Sequence, residues 1–134
     1  MIKLVLNIVP VPCSRPRVAR GGFAYYPKRY KDFKRDCTAL IRVNYPHVQI
    51  KEPIELIDYL FVLPRPKYMQ KGYHHGLIAH TKRPDLDNLL KAINDCLEDA
   101  NVFSNDCVIS DSSSRKRYAE REGTARIEVT ITTK

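Results

Sequence analysis

The feature that most constrains the fold is an apolar stripe in residues 85–99, where hydrophobic side chains recur every three or four positions. That period places them along one face of an α-helix. The stripe consists of Leu86, Leu89, Leu90, Ile93 and Leu97. Pro84 and Asp85 precede it, and both residue types are common where helices begin. A helix with one apolar face is stable only when a second layer of structure covers that face, so the chain must fold in layers.

A second helix and four strands complete the predicted pattern. The helix is predicted from about Pro27 to Val43, because apolar residues again recur at three- and four-residue steps with Lys and Arg opposite. The segments with strand-like patterns are residues 2–9, 54–63, 107–118 and 125–132. The order β-α-β-α-β-β favours an α+β fold, a two-layer sandwich with a four-stranded mixed sheet and two helices on one face. We expect one domain over residues 1–134.

Two long segments lack a regular period. Residues 10–27 contain four prolines and two glycines and are predicted to form an irregular basic loop. Residues 63–84 are bounded by prolines and are also predicted to be irregular, with a brief extended stretch near L-I-A-H-T at residues 77–81. Loops of this length in a small domain are commonly functional.

Charge is distributed unevenly along the chain. The 134 residues carry a net charge of +8, and basic proteins attract polyanions, nucleic acids first. Residues 85–111, the acidic island, nevertheless hold seven acidic residues and one basic residue, a net charge of −6. The other residues hold 22 basic and eight acidic side chains, a net charge of +14. An acidic island inside a basic protein calls for a physical explanation.

A divalent cation would provide that explanation. Carboxylates repel phosphate, but the repulsion becomes attraction when Mg²⁺, which prefers oxygen ligands, lies between them. The basic flanks would then contact the nucleic-acid backbone, and their aromatic residues would stack on bases. These flanks are the blocks at residues 15–35, 64–84 and 115–117. The alternative is that the acidic island is only the solvated face of a helix.

Three aspartates are the candidate metal ligands. Asp85 and Asp87 flank the start of the second helix, where acidic residues also commonly act as caps. Asp106 follows Asp85 by 21 residues and comes after a helix of about 15 residues that is roughly 22 Å long. Spacing alone permits the three carboxylates to meet, through a returning strand or a second chain, but does not require it.

Three short strings carry a family resemblance. They are R-P-D-L-D-N-L-L-K-A-I-N-D at residues 83–95, N-D-C-V-I-S-D at residues 105–111 and P-C-S-R-P-R at residues 12–17. Together they resemble the RusA family of Holliday-junction resolvases. The family pattern has an aspartate pair where this chain has Asn105 and Asp106, so the second aspartate of that pair is kept.

The resemblance implies a small homodimeric α+β endonuclease that binds four-way DNA junctions and needs Mg²⁺, or Mn²⁺ in its place. The metal ligands and catalytic carboxylates then fall on Asp85, Asp87 and Asp106. Lys91 matches the motif lysine and takes a catalytic role, while Asn88 and Asp95 are expected behind the ligands, where they would orient them. From the basic flanks, the residues expected to contact DNA phosphates are Arg15, Arg17, Arg20, Lys67, Lys71, Lys82 and Arg83.

We therefore expect a metal-dependent, structure-specific endodeoxyribonuclease that resolves Holliday junctions by paired symmetric nicks during DNA recombination and repair. Two other functions fit the same residues: a nucleic-acid-binding protein without catalysis, and a metal nuclease that acts on other branched DNA or on RNA. The first residues lack the long apolar core of a signal peptide, and no apolar run reaches the roughly 20 residues of a membrane span. A cytoplasmic protein without a membrane partner is expected.

Overall fold

The structure, a computed structural model, describes residues 1–133 and consists of a main sheet, a small hairpin and two helices. The strands are β1 (Ile2–Leu6), β2 (Arg17–Val18), β3 (Ala24–Tyr25), β4 (Ile54–Leu63), β5 (Ile78–Ala79), β6 (Ser112–Tyr118) and β7 (Arg126–Thr133). The helices are α1 (Lys28–Asn44) and α2 (Leu86–Asp99), and short 3₁₀ turns occur at Lys67–Met69 and Asp106–Val108. Within the described residues, no helix is both long enough and apolar enough to cross a membrane.

The main sheet has five strands in the order β1-β7-β4-β6-β5. β4 and β6 run parallel and the other neighbours run antiparallel, so the sheet is mixed, as predicted. The predicted count of four strands is wrong, and β2, β3 and β5 interrupt the predicted order. The additional strand of the main sheet, β5, pairs Ile78 with Tyr118 and Ala79 with Arg117 at the sheet edge. Two residues are too few to show the period-two alternation by which a strand is recognised.

Residues 10–27, predicted to be irregular throughout, contain the hairpin of β2 and β3. The two strands pair in antiparallel register. The turn between them requires Gly21 and Gly22, whose φ angles are +105° and +89°, a region that glycine enters without a Cβ penalty. The prediction failed because prolines and glycines surround two strands that are each two residues long.

The longer elements lie close to their predicted bounds. β4 spans the predicted residues 54–63, and both helices and β7 agree with the prediction to within one residue at each end. β1 ends at Leu6, three residues early, and β6 begins at Ser112, five residues late. The late start has a local cause, because the Asn105 side chain accepts a hydrogen bond of 2.9 Å from the Cys107 N–H and begins a 3₁₀ turn.

The core lies between one face of the main sheet and both helices. Along β4, Ile57, Tyr59 and Phe61 point to this face, and their register partners on β7 are also buried. The helices contribute Tyr30, Phe33, Cys37, Ile41, Leu89, Ile93, Cys96 and Leu97. All of these residues belong to one continuous hydrophobic cluster, so both helices pack on one face of the sheet, as a two-layer sandwich requires.

The opposite face of the sheet carries an ion-pair network around Arg126 of β7. Its guanidinium donates two hydrogen bonds to Glu120, at 2.9 and 3.0 Å, and one to Glu128 at 2.7 Å. The Lys3 ammonium lies 3.1 Å from Glu128. Hydrogen bonding by Arg126 lowers the pKa of Glu120. Burial opposes a lower pKa of Glu128, but hydrogen bonds from Arg126 and Lys3 outweigh it and lower that pKa as well.

Replacing Arg126 by Met should weaken the pH dependence of stability. Both carboxylates have a lower pKa in the folded chain, so their stabilisation is present above the usual value of 4.5 and is lost as the pH falls through the folded values. We expect R126M to lower the free energy of unfolding by about 1 kcal/mol at pH 7, because Glu120 is 39% exposed and solvent screens the pair. Urea unfolding at pH 7 and at pH 3 should show that this loss shrinks as the two carboxylates become protonated. An equal loss at both pH values would mean that Arg126 contributes through packing alone.

Candidate active site

A cleft of about 990 Å³ opens beside the N-terminus of α2. Its walls come from the segment after β1, the first turn of α1, the end of β4 and the residues that lead into α2. The charged residues that line it are Arg15, Arg29, Arg83 and Asp85. Three cations against one carboxylate make the cleft net positive, which suits a ligand that carries phosphate.

Asp85 and Asp87 lie at the start of α2, as predicted. Asp85 immediately precedes the helix with φ −75° and ψ 146°, the extended conformation of a capping residue. Its side chain nevertheless makes no capping hydrogen bond. Asp87 lies in the first turn, and both residues are exposed. Capping therefore does not account for Asp85, and both carboxylates are open to a ligand.

Lys91 lies one turn further along α2 and is also exposed. An i,i+4 ion pair with Asp87 would be its ordinary structural role, worth about 0.3–0.5 kcal/mol. Among the ion pairs of residues 1–133, none involves Lys91, Asp85 or Asp87. The Lys91 ammonium is thus available to a phosphate group that approaches α2.

Asp106 lies beside the opposite half of α2. It begins the 3₁₀ turn after the helix, and its backbone N–H donates a hydrogen bond of 2.9 Å to the Glu98 side chain. Asp87, Lys91, Asn94 and Glu98 follow one another at three- or four-residue steps and so share one face of α2. Asp87 and Glu98 are eleven residues apart, which corresponds to about 16 Å along the helix axis. The Asp106 backbone is therefore anchored beside the second half of this face, whereas Asp87 lies at its start.

Within residues 1–133, the structure does not group the three predicted aspartates into a metal site. In the part of the chain that the structure describes, no group of three or more His, Cys, Asp or Glu side chains is placed to hold a metal ion. Asp85 and Asp87 fit a metal site by their chemistry, because Mg²⁺ is commonly held by one or two carboxylates together with water and substrate phosphate. Asp106 as a third ligand stays a prediction.

Asn88 and Asp95, expected behind the metal ligands, join α2 to other segments. The Asn88 carbonyl accepts a hydrogen bond of 2.9 Å from the Cys13 N–H, which ties the basic segment after β1 to the helix. Asp95 accepts a hydrogen bond of 2.9 Å from the Tyr30 hydroxyl of α1. Burial, with hydrogen bonding to Cys13 and Asp95, raises the pKa of Tyr30, so its hydroxyl stays protonated and donates. The contact made by Asp95 therefore holds α1 against α2.

Lys116 of β6 fixes the segment that leads into α2. Its ammonium donates hydrogen bonds to the carbonyls of Lys82, at 2.5 Å, and Pro84, at 2.7 Å. Lys116 neighbours Phe61 in register, so its side chain leaves the sheet on the helix side. The two bonds are charge-assisted and hold the backbone on both sides of Arg83 and directly before Asp85.

All seven basic residues predicted to contact DNA are exposed. Arg15 and Arg83 line the cleft, and the others lie on segments that continue along the chain from its lining residues. These others are Arg17 and Arg20 in the β2–β3 hairpin, Lys67 and Lys71 between β4 and β5, and Lys82 before α2. The structure thus brings two of the seven into the cleft itself.

The positions of two basic residues were not predicted from the sequence. Arg29 lines the cleft from α1, although nothing in the periodic pattern distinguished it from its basic neighbours. Lys116 belongs to the basic block at residues 115–117, which the sequence predicts to be a DNA-contacting flank. In the structure Lys116 donates to backbone carbonyls, and Arg115 of the same block donates to Asp58 at 2.7 Å. The sequence offers no signal for this role of Lys116, because Ser112–Tyr118 lacks the apolar alternation that marks inward positions of a strand.

Comparison with known proteins places the chain in a family. The family model described as endodeoxyribonuclease RusA matches residues 7–132. The chain is also similar to the uncharacterized protein YqaN of Bacillus subtilis (strain 168), with 28% identity over 139 residues that cover 97% of this chain and 94% of the relative. The family match includes the cleft, the α2 motif and Asp106, and it confirms the resemblance drawn from the motif strings. The chain therefore belongs to the RusA family of endodeoxyribonucleases.

Proposed function

We propose that the protein is a metal-dependent endodeoxyribonuclease that resolves four-way DNA junctions by paired symmetric nicks in recombination and repair. The observation that carries the proposal is a basic cleft with two exposed aspartates, Asp85 and Asp87, at the helix start beside it. If the cleft only bound DNA, these carboxylates would lower its affinity, because they repel phosphate. A divalent cation between carboxylate and phosphate removes that conflict.

In this proposal Asp85 and Asp87 hold Mg²⁺ or Mn²⁺, and the family pattern adds Asp106 as a third catalytic carboxylate. When bound, the metal supplies Lewis-acid polarisation of the scissile phosphate and a more acidic water. Lys91 stabilises the negative charge that develops on the phosphate. Its position one turn after Asp87, outside any ion pair of the described residues, supports that role.

The arginines of the cleft position the DNA backbone. Arg15, Arg29 and Arg83 come from three separate segments and meet at one cleft. A guanidinium binds phosphate through two parallel hydrogen bonds, so each of them can fix both the place and the orientation of a phosphate group. The hydrogen bonds from Lys116 keep Arg83 and Asp85 in a fixed relation.

Paired nicks require two equivalent sites, so the proposal includes a homodimer. A dimer with two-fold symmetry presents two copies of the same cleft to a junction that has two-fold symmetry of its own. Light scattering on the purified protein should give twice the mass of the 15.5 kDa chain. A monomer that cuts only one strand of each junction would contradict paired cleavage.

Incubation with a synthetic four-way junction tests the proposal directly. We expect nicks at symmetric positions in two opposing strands with Mg²⁺, no nicks with EDTA, and no cutting of a linear duplex of the same sequence. Junction binding in EDTA should weaken as salt rises, with a logarithmic slope of about −0.9 for each phosphate contact.

Two results would favour the other functions. Equal or faster cutting of flaps, linear duplex or RNA would identify a metal nuclease with a different substrate. Tight junction binding without cutting in either Mg²⁺ or Mn²⁺ would identify a binding protein, and the acidic island would then be a solvated helix face.

A further inference from the structure

The segment between β4 and β5, residues 64–77, carries two exposed tyrosines and is named the tyrosine loop here. It begins at Pro64, which lines the cleft. Tyr68 is 60% exposed and Tyr73 is 42% exposed. Gly72, with φ +77°, turns the chain between them, and the two rings meet edge to face with centroids 6.3 Å apart. Neighbouring aromatic rings left open to solvent, on a loop that begins at the cleft, point to an interaction surface.

Arg65 holds the tyrosine loop in one shape. Its guanidinium donates four hydrogen bonds to backbone carbonyls, at 2.7–3.1 Å. The acceptors are Met69, His74 and Gly76 in the loop and Ala119 after β6. Met69, the residue after Tyr68, is buried and anchors the 3₁₀ turn. These hydrogen bonds already hold the backbone of both tyrosines in one conformation. Binding of a ligand to the two rings therefore costs little conformational entropy.

The charge around the tyrosine loop identifies the chemistry of its partner. No acidic residue occurs from residue 64 to residue 84. Lys67 adjoins Tyr68, Lys71 lies two residues before Tyr73, and both lysines are exposed. Cations interleaved with exposed aromatic rings suit a nucleic-acid strand, since lysines contact phosphates while rings stack on bases. A fully paired duplex keeps its base faces inside the stack, so the rings require a base that is unpaired or unstacked.

We propose that the exposed faces of Tyr68 and Tyr73, here called the tyrosine clamp, stack on a base that is left unstacked at a DNA branch point, with Lys67 and Lys71 on the adjoining phosphates. The inference rests on the proposed function for its partner, branched DNA, and is independent of cleavage. The tyrosine clamp would let the protein bind branched DNA more tightly than linear DNA. This selectivity would come from the tyrosine loop and not from the aspartates of α2.

Binding measured without divalent metal separates the clamp from catalysis. Fluorescence anisotropy in EDTA would give dissociation constants for a four-way junction and for a linear duplex of the same sequence. We expect Y68A/Y73A to bind the junction about 5- to 150-fold more weakly, the effect of losing one base–aromatic stack. The same variant should bind linear duplex as the wild type does. Y68F/Y73F should bind both DNAs normally, because stacking uses the ring and not the hydroxyl. Val43→Ala, which trims a side chain that is 76% exposed near the end of α1, is the surface control.

Each result decides the proposal. Wild-type junction affinity in Y68A/Y73A, an equal loss for junction and duplex, or a defect in Y68F/Y73F would overturn the clamp. If the wild type binds the junction through the tyrosines but fails to cut it with Mg²⁺ or Mn²⁺, the nuclease proposal fails and the clamp stands. Circular dichroism and thermal melting of every variant exclude unfolding as the cause.

Discussion

Asp87→Asn should abolish junction nicking and leave a folded protein that still binds the junction. The substitution preserves the shape of the side chain and removes its charge, so a bound metal loses a ligand. We expect the nicking rate to fall at least about 100-fold. Replacing a residue that only supports a metal ligand commonly lowers metal affinity or activity about 10- to 100-fold, and losing a ligand should cost more. Asp87 is exposed in the first turn of α2, so the free energy of unfolding should change by less than about 1 kcal/mol. Single-turnover nicking and urea unfolding measure the two quantities.

Asp111→Asn is the matched control for this variant. Asp111 is an exposed residue of the same acidic island, but it precedes β6 instead of lying in α2. D111N removes the same charge and should nick at close to the wild-type rate. Junction affinity in EDTA should rise slightly in both variants, since each removes a negative charge from a basic protein. A nicking rate of D87N within a few-fold of the wild type would exclude Asp87 as a metal ligand.

The long elements of the fold could be predicted because each buries one regular face. The stripe of α2 and the apolar run of β4 carry enough residues to define a period. The short strands β2, β3 and β5 could not be predicted, because two residues define no period. Their existence depends on partners supplied by the tertiary fold, as when β5 pairs with β6 some 40 residues further along the chain.

The same distinction between local patterns and long-range contacts applies to the candidate site. Asp85 and Asp87 could be placed from sequence because the start of a helix fixes both within a few residues. Asp106 could not, because its position depends on how the chain leaves α2, where Asn101 has φ +61° and the Asp106 N–H binds Glu98. The contact between Lys116 and the Pro84 carbonyl spans 32 residues, and no local pattern encodes a contact of that range.

Lys116→Met should slow nicking far more than it weakens junction binding. Methionine keeps an unbranched apolar stem but cannot donate to the carbonyls of Lys82 and Pro84, so the backbone before Asp85 loses both hydrogen bonds. We expect the free energy of unfolding to fall by about 1–3 kcal/mol, the usual loss for hydrogen bonds to a charged group. The nicking rate on saturating junction should fall about 10- to 100-fold, because a displacement of about 1 Å in reacting groups has effects of that size. Burial and then the Lys116 charge lower the pKa of His80, so an NMR titration of K116M should show that pKa moving back toward 6.5.

Lys82→Met is the matched control. It also replaces a lysine by methionine, and Lys82 lies on the segment whose backbone Lys116 binds. The Lys82 side chain is exposed and is a predicted phosphate contact, whereas Lys116 binds only its carbonyl. K82M should therefore weaken junction binding, with a smaller salt dependence, and should nick at the wild-type rate once saturated. K116M should show the reverse pattern, with a small loss of affinity, because the backbone of Arg83 is held less firmly, and a much lower saturated rate. If K116M instead behaves like K82M, Lys116 is one more phosphate contact, and Asp85 keeps its place without it.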